Sequence, residues 1–556
     1  MKRYEIVVEP FGSLYVGGYA QALGGSDGDT AADSLGLLVP GSALKGALRE
    51  SAVRLVNAVG QGGDLLDRLF GSPDRAGRSS HPGLIRVGTL RPRLVAPLDA
   101  EAASGSLRNH VSLERATRQA APQRLFQNRV TPTLSELSFY GLLEIRRELN
   151  EGELGLLRAA VRITDQIGGG RGRGLGRVSV SLAELPLGAE AAEREIADGT
   201  TALVLGLEAE EPLHLSGVKD PSNYVASKDF LDGAAIRGAV AAVLADRVDA
   251  AVLETLLGGE APAAFGDGRP GHPCAMPAPL TLKEPKRGGP PWDEAALLCA
   301  ETCGGRPGAR PEDMRTAGGT WTWGPAGWRA YPVKRRTVTR TARDPASGRA
   351  ADGQLFSLEV LDPFLDHADL GNGRRLRFYV PVSGSRRQLA LILEAAGEGL
   401  AVGGDRSRGF GRLRLAHVQA EPPLPSLEER HRSWAGLVGR LGVPQPEATG
   451  VLLAVGPLGV THERFLGALR AVGLELKEGV ARRQPHGGWN AELGLPRSLY
   501  SHYLPGSTFI VARPDGQSAL PFLAELEDKG IGPGRADGWG RLIACHPIHV
   551  DCLKEE

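Results

Sequence analysis

Three glycine-rich turns with arginines inside them are the stretches of this sequence best suited to chemistry. They read IGGGRGRGLGRV from Ile167 to Val178, VGGDRSRGFGRLRL from Val402 to Leu415, and GIGPGRADGWGRLIA from Gly530 to Ala544. Glycine bares backbone N–H groups, and arginine adds planar, permanently charged donors; together they suit phosphate oxygens. Two nucleotide motifs are excluded. The first turn follows a helix-like stretch, Leu154 to Gln166, and precedes a strand, the reverse of the order a dinucleotide site needs. In GSALKG, Gly41 to Gly46, the lysine precedes the second glycine and no Ser or Thr follows, so this is no Walker A loop. The recurrence of one turn points to one unit used repeatedly, and its chemistry points to a nucleic-acid backbone.

Each turn closes a longer pattern of elements. The first block opens with a strand at Tyr4 to Val8 and a polar, acidic loop from Gly24 to Asp33. VPGSALKGALRESAVRLV, Val39 to Val56, then starts a helix with Ser42 as its expected N-cap and Leu44, Ala47, Leu48, Val53 and Leu55 as its apolar face. An arginine-rich stretch, Arg108 to Pro132, a strand near Leu137 to Ile145 and a helix lead to the first turn. The second block repeats this grammar: a strand at Ala202 to Glu208, a helix start at FLDGAAIRGAV with Asp232 at the cap position, and a second arginine-rich stretch, Lys334 to Pro363. Between them, Ala261 to Trp328 is rich in Gly and Pro and reads as an insertion. A third, partial block runs strand, helix, strands, helix, strand from Gly450 to the last turn, the order of a ferredoxin-like unit. The expected fold is α+β, with tandem ferredoxin-like (RRM-like) domains at 1–188, 200–420 and 428–556 and an irregular insertion at 261–328.

Bulk properties bound the reading. The 556 residues carry 65 basic and 65 acidic side chains, so no global charge announces a polyanion partner. Between Lys45 and Lys219 every fixed cation is Arg, the residue that contacts phosphate bidentately. Aromatic residues make up 5%, which disfavours a broad base-stacking surface. Five cysteines and no long apolar run read as a cytoplasmic chain with no membrane partner. Cys299 and Cys303 stand four apart with Cys274 and His272 upstream, a looser set than zinc usually takes, so zinc is not expected.

PGSALKGALR before a helix, an arginine-rich stretch ending in Leu-Phe, and G-G-x-R-x-R-G-x-G before a strand resemble the RAMP superfamily of CRISPR-associated proteins. Residues 1 to about 188 are similar to the backbone subunit of type III effector complexes. The remainder resembles the type III-D subunit that caps the five-prime handle of the guide, through DGAAIRGAV, RTARDPASGRAADGQLF, GWNAELGLP and GIGPGRADGWGR. The resemblance implies a fused subunit that binds CRISPR guide RNA and meets target RNA, other RAMP subunits and the large subunit of the complex. It assigns guide contacts to Ser42, Lys45 and Arg49 at the helix start and to Arg171, Arg173 and Arg177 in the first turn. Arg115, Arg118 and Arg124 fall in a thumb-like hairpin; Arg237, Arg340, Arg406 and Arg408 are their counterparts in the second block.

The resemblance also implies an endoribonuclease that cuts target RNA with a Mg (or Mn) ion, through an Asp in the loop before the PGS helix. Asp27, Asp29 and Asp33 are the candidates, Asp27 and Asp29 as the metal ligands. Two alternatives stay open: an RNA scaffold without catalysis, and an endoribonuclease that processes guide precursors through a histidine such as His110. The third turn contains Asp537, which weakens it as a phosphate cradle and suits it to packing or partner contact.

Overall fold

A computed structural model describes residues 2–17, 30–33, 36–72, 81–93, 105–133, 137–185, 196–219, 224–245, 247–306, 308–324, 327–343, 350–364, 375–420, 424–486, 489–490, 495–496 and 500–553. The alternation in KRYEIVVEP makes β1 (Lys2–Pro10) a half-buried strand, with Tyr4, Ile6 and Val8 inward. Leu44, Ala47, Leu48 and Ala52 line the buried face of α1 (Gly41–Val59), which stops at a left-handed Gly60. Its first residue is Gly41, behind Pro40, and no side chain caps it. Ser42 is therefore inside the first turn, not the N-cap: proline sets the entry angle in its place. Then follow β2 (Ile85–Val87), β3 (Ser138–Ile145), α2 (Glu151–Ile163) and β4 (Val178–Leu185). The start of α2 is fixed by a capping box between Asn150 and Glu153. The sheet order is β4-β1-β3-β2, antiparallel throughout, the ferredoxin-like arrangement.

The second unit repeats it. Its elements are β5 (Ala202–Ala209), α3 (Gly233–Leu244), β6 (Ala264–Phe265), β7 (Arg377–Ser383), α4 (Arg386–Gly397) and β8 (Arg412–Gln419), in the sheet order β6-β7-β5-β8. The third has β9 (Thr449–Ala454), α5 (His462–Ala471), β10 (Glu475–Val480), β11 (Thr508–Ala512), α6 (Leu520–Lys529) and β12 (Leu542–Ala544), ordered β10-β11-β9-β12. Each unit has its own apolar core.

The stretch 261–328 differs from its reading as an irregular insertion. It opens with β6, the edge strand of the second sheet, and its helix Ala295–Thr302 buries Ala295, Ala296, Cys299 and Ala300 in the third core. Strands of two to five residues among Gly and Pro are too short to print a period on the sequence. Two long hairpins leave the sheets: Ser106–Leu113 with Ala120–Val130, and Arg335–Arg343 with Ala350–Leu361. On the first, Leu107, Val111, Leu113 and Leu125 are exposed.

Candidate nucleic-acid interface

The three glycine-rich turns have one geometry. Left-handed residues recur at four matching places: Gly168, Gly170, Gly174 and Gly176; Gly403, Asp405, Gly409 and Gly411; Gly532, Gly534, Gly538 and Gly540. Between the middle two, each makes one 3-10 turn: Arg171–Arg173, Arg406–Arg408 and Arg535–Asp537. Each base closes alike, the N–H groups of Ile167, Val402 and Ile531 donating to the carbonyls of Gly176, Gly411 and Gly540. Left-handed backbone costs a side chain about 1–2 kcal/mol, so the glycine pattern visible in the sequence is the record of this geometry.

The second and third turns each seat on the helix start of the unit before. A Cβ at Gly409 would lie 3.1 Å from the Gly41 nitrogen, and Thr89 Oγ1 donates to the Gly409 carbonyl over 3.3 Å. At the next junction a Cβ at Gly538 would lie 2.6 Å from the Phe265 carbonyl oxygen, and one at Gly233 would lie 2.7 Å from that of Asp537. At the second junction both approaches are closer than a Cβ tolerates; at the first, the 3.1 Å approach is tight and Gly409 is left-handed besides.

The two junctions differ in charge. Each helix carries a cation four residues after its glycine, Lys45 in α1 and Arg237 in α3. Arg237 pairs with Asp537 of the third turn at 2.8 Å. The matching residue of the second turn is Arg408, so at the first junction cation faces cation. A cavity of about 300 Å³ lies there, lined by Ser42, Lys45, Gly46, Arg49, Ser407 and Arg408 with Phe70 to Ser72, Pro82 and Gly83 behind them. No carboxylate lines it among the described residues. Arg49 reaches Asp67 at 3.5 Å and Arg408 reaches Asp405 at 3.3 Å, outside the lining. Lys45 is 7% exposed and donates to the Ile85 carbonyl over 3.0 Å. Burial, with Arg146, Arg408 and Arg49 adding repulsion, pushes its pKa down from 10.5 to about 7. An anion of phosphate size would relieve that repulsion.

This shift has a measurable sign. Between about pH 7 and 10.5 the unfolded chain binds the Lys45 proton and the folded chain does not, so this group makes stability rise with pH across that window. Phosphate binding runs the other way, because it needs the ammonium. Above pH 7 affinity for a phosphate ligand is expected to fall by up to about tenfold per pH unit. Lys45→Met should flatten that slope; a slope unchanged in the variant would remove Lys45 from the site.

A buried ionic network holds the cavity's walls together. Arg86 of β2 donates to Glu144 at 2.6 Å, to Glu211 of the second unit, to the Arg406 carbonyl at 2.7 Å and to the Phe410 carbonyl at 3.1 Å. Arg412 of β8 pairs back onto Glu144 and with Glu210 at 3.2 Å. Burial alone would raise the Glu144 pKa, but Arg412 and Arg86 hold it below the usual carboxylate range. Burial raises that of Glu211, with Arg86 opposing.

The remaining candidates scatter. Arg171 is bound by Glu50 of α1 at 2.8 Å, which ties the first turn to the helix of its own unit. Arg173 and Arg177 are exposed, as are Arg115 and Arg118 at the hairpin tip, where Arg118 is left-handed. Arg406 is exposed and donates to the Ala401 carbonyl over 3.5 Å. His110 sits in the first hairpin, opposite Phe126. Asp27 and Asp29, and the side chains of Asp33, Arg124 and Arg340, lie outside the described residues. The base of the acidic loop is described: Gly17 bridges to Thr30, whose N–H donates to the Arg129 carbonyl over 3.1 Å, and Arg336 donates to the Ala32 carbonyl over 2.8 Å. The residues that follow the acidic stretch are thus bonded to both hairpins. Among the described residues no group of three or more His, Cys, Asp or Glu could hold a metal, and no helix is long and apolar enough to cross a membrane. Arg86, Glu144 and Glu211 were not legible as a set, because a lone charge in a strand reads as a solvent-facing position.

The model of the RAMP superfamily matches residues 36–179, from just before α1 into β4. No curated protein matches the chain. Solved structures with a similar fold include a chain of a type III-B Cmr-beta complex bound to cognate target RNA and AMPPnP, at 12% identity and a TM-score of 0.33, covering 55% of this chain and 86% of that one. A chain of a type IV-B CRISPR complex is similar at 14% identity and a TM-score of 0.24, covering 36% of this chain and 95% of that one.

Proposed function

We propose that this chain, a member of the RAMP superfamily through its first unit, holds a guide RNA strand across the junction of its first two units as a subunit of a CRISPR effector complex. The observation that carries the reading is the cavity in which Lys45, Arg49 and Arg408 converge with no lining carboxylate among the described residues, while the same place at the second junction is neutralised by Asp537. One junction is finished by the protein, and the other needs an anion from outside. A neutral chain is suited to this work when its cations are gathered in one channel and its acids face neighbours. The second and third units, on the resemblance of their motifs, cap the five-prime handle. RNA affinity measured against salt tests the reading: removing Lys45, Arg49 and Arg408 together should reduce the log–log slope by about two to three. An unchanged slope would sink it.

The second part of the proposal is a cut in paired target RNA. Asp27, Asp29 and Asp33 offer the oxygen donors that Mg²⁺ takes; Asp27 and Asp29 fall in the sequence between Gly17 and Thr30, which bridge to each other, and Asp33 follows in the short strand Ala32–Asp33. A metal held there by Asp27 and Asp29 would supply Lewis-acid stabilisation of the phosphate under attack. The chain's own part is to fix the segment that follows those residues: the Arg129 carbonyl accepts from the Thr30 N–H, and the Arg336 guanidinium donates to the Ala32 carbonyl. With every other nuclease site of the complex inactivated, Asp27→Ala or Asp29→Ala should lose the cut while guide binding stays intact. If both variants cut like the wild type, catalysis does not lie in this loop.

A further inference from the structure

The cysteines that stand four apart in the sequence, Cys299 and Cys303, fold into a pair of thiols in unequal surroundings. Cys299 belongs to the helix Ala295–Thr302 and is fully buried in the third core, whereas Cys303 caps the end of that helix and is half-buried. The Cys303 N–H donates to the Cys299 carbonyl over 2.8 Å, and the two thiols hydrogen-bond to each other. The Thr302 hydroxyl stands 3.9 Å from the Cys303 sulfur, and Lys477, at a bulge of the edge strand β10, adds a nearby positive charge. The bond from Cys299, with Thr302 and Lys477 adding to it and burial opposing, brings the Cys303 pKa down to about 6. The same bond and burial push Cys299 up, and burial pushes Cys545 up to about 12. The half-buried sulfur is thus the reactive one, with a buried thiol in contact behind it.

We infer that this pair is a peroxide-sensitive switch, with Cys303 as the sulfur that is oxidised and Cys299 as the one that resolves it. The Cys303 thiolate attacks one oxygen of hydrogen peroxide: the S–O bond forms, the O–O bond breaks, and the departing hydroxide takes a proton to become water. The product is a sulfenic acid. The Cys299 sulfur then attacks Cys303; the S–S bond forms, the S–O bond breaks, and the Cys299 proton leaves with the hydroxide as a second water. The two thiols give up two electrons in all, and the peroxide gains them. A disulfide needs its Cβ atoms about 3.5–4.5 Å apart, closer than the roughly 5–6 Å between residues four apart on a helix. The bond therefore forms by opening the last helical turn. Cys303 has room to swing, because its backbone has already left the helix (φ −111°, ψ 18°) and left-handed Gly304 follows. This helix buries Ala295, Ala296, Cys299 and Ala300 in the third core, and just beyond it the Arg306 N–H donates to the Leu441 carbonyl over 2.7 Å. Oxidation thus loosens the clasp between the stretch 261–328 and the third unit.

The test treats the full-length chain with hydrogen peroxide, alkylates the thiols that remain, and weighs the tryptic peptide Gly288–Arg315, which holds both cysteines. The expected product is this peptide lighter by two hydrogens and without alkyl groups, restored to two free thiols by dithiothreitol. Cys303→Ser should abolish it, and Cys299→Ser should stop the reaction at a sulfenic acid on Cys303 that dimedone traps. The wild-type peptide is diagnostic even if a variant folds poorly. In the oxidised chain the Cys303 amide should lose hydrogen-exchange protection by at least about tenfold, as its bond to the Cys299 carbonyl opens. Passage of Cys303 straight to sulfinic acid with Cys299 still free, oxidation that falls first on Cys274, Cys545 or Cys552, or no reaction at all would overturn the switch. Unchanged protection in the disulfide form would overturn the opening of the turn.

Discussion

Arg86→Met is expected to destabilise the joint between the first two units by about 3–5 kcal/mol, the usual cost of leaving a buried charge without its partner. Arg86 is 4% exposed, and Glu144 and Glu211 are 3% and 6% exposed. Glu144 keeps Arg412 in the variant, but Glu211 loses its ion-pair partner. The Arg406 and Phe410 carbonyls lose their donor as well, so the second turn is released from its seat. Methionine fills much of the volume, which leaves charge as the difference under test. Burial already holds the Glu211 pKa above its ordinary value, and removing Arg86 raises it further. The contribution of such a group is present at low pH and lost as pH rises through its folded pKa. The variant should therefore lose more stability at pH 8 than at pH 5, and Glu211→Gln beside it should recover much of the loss. Denaturation midpoints at both pH values check this. A loss below about 1 kcal/mol at pH 8 would mean that water reaches the network.

The repeat was legible because its turns are written in glycine. Four left-handed positions per turn leave few other residues possible, and the surrounding strands and helices are long enough to show their periods. Three things were not legible. Pro40 opens α1 without a side-chain cap, so Ser42 took a role that the backbone had already filled. The strands inside 261–328 are too short to carry a pattern. Above all, the sequence suggests that each turn serves its own unit, whereas the second turn serves the first unit and the third serves the second. Gly41 and Gly409 lie 368 positions apart, and no local pattern encodes a contact at that distance. The pairing of Arg237 with Asp537, across 300 positions, was hidden for the same reason, although the odd acid in the third turn was its visible half.

That acid suggests the sharper experiment on the RNA interface. Arg408→Asp copies the second junction into the first, giving Lys45 the carboxylate that Asp537 gives Arg237. Lys45 and Arg408 line one cavity, and Arg408 now contributes to lowering the Lys45 pKa. The substitution removes a repelling cation and adds an attracting anion, so the Lys45 pKa should rise from about 7 toward its ordinary value. The swap relieves the crowding of Lys45 but also breaks the pair of Arg408 with Asp405 at 3.3 Å, so it is made together with Asp405→Gly, the residue the third turn carries there as Gly534; folding should then not suffer. RNA binding should, because the phosphate must now compete with a built-in carboxylate and loses one charged donor. Loss of such a contact costs about 1.5–3 kcal/mol, or roughly 10- to 150-fold in affinity. A variant that melts no lower than the wild type yet binds RNA at least tenfold more weakly would place the phosphate at this junction. Asp537→Arg, the reverse exchange, should leave Arg237 facing a cation, and should make the second junction bind inorganic phosphate that the wild type ignores there. If Arg408→Asp binds RNA as the wild type does, the cation pair at the first junction has a purely structural role, and the guide must run elsewhere.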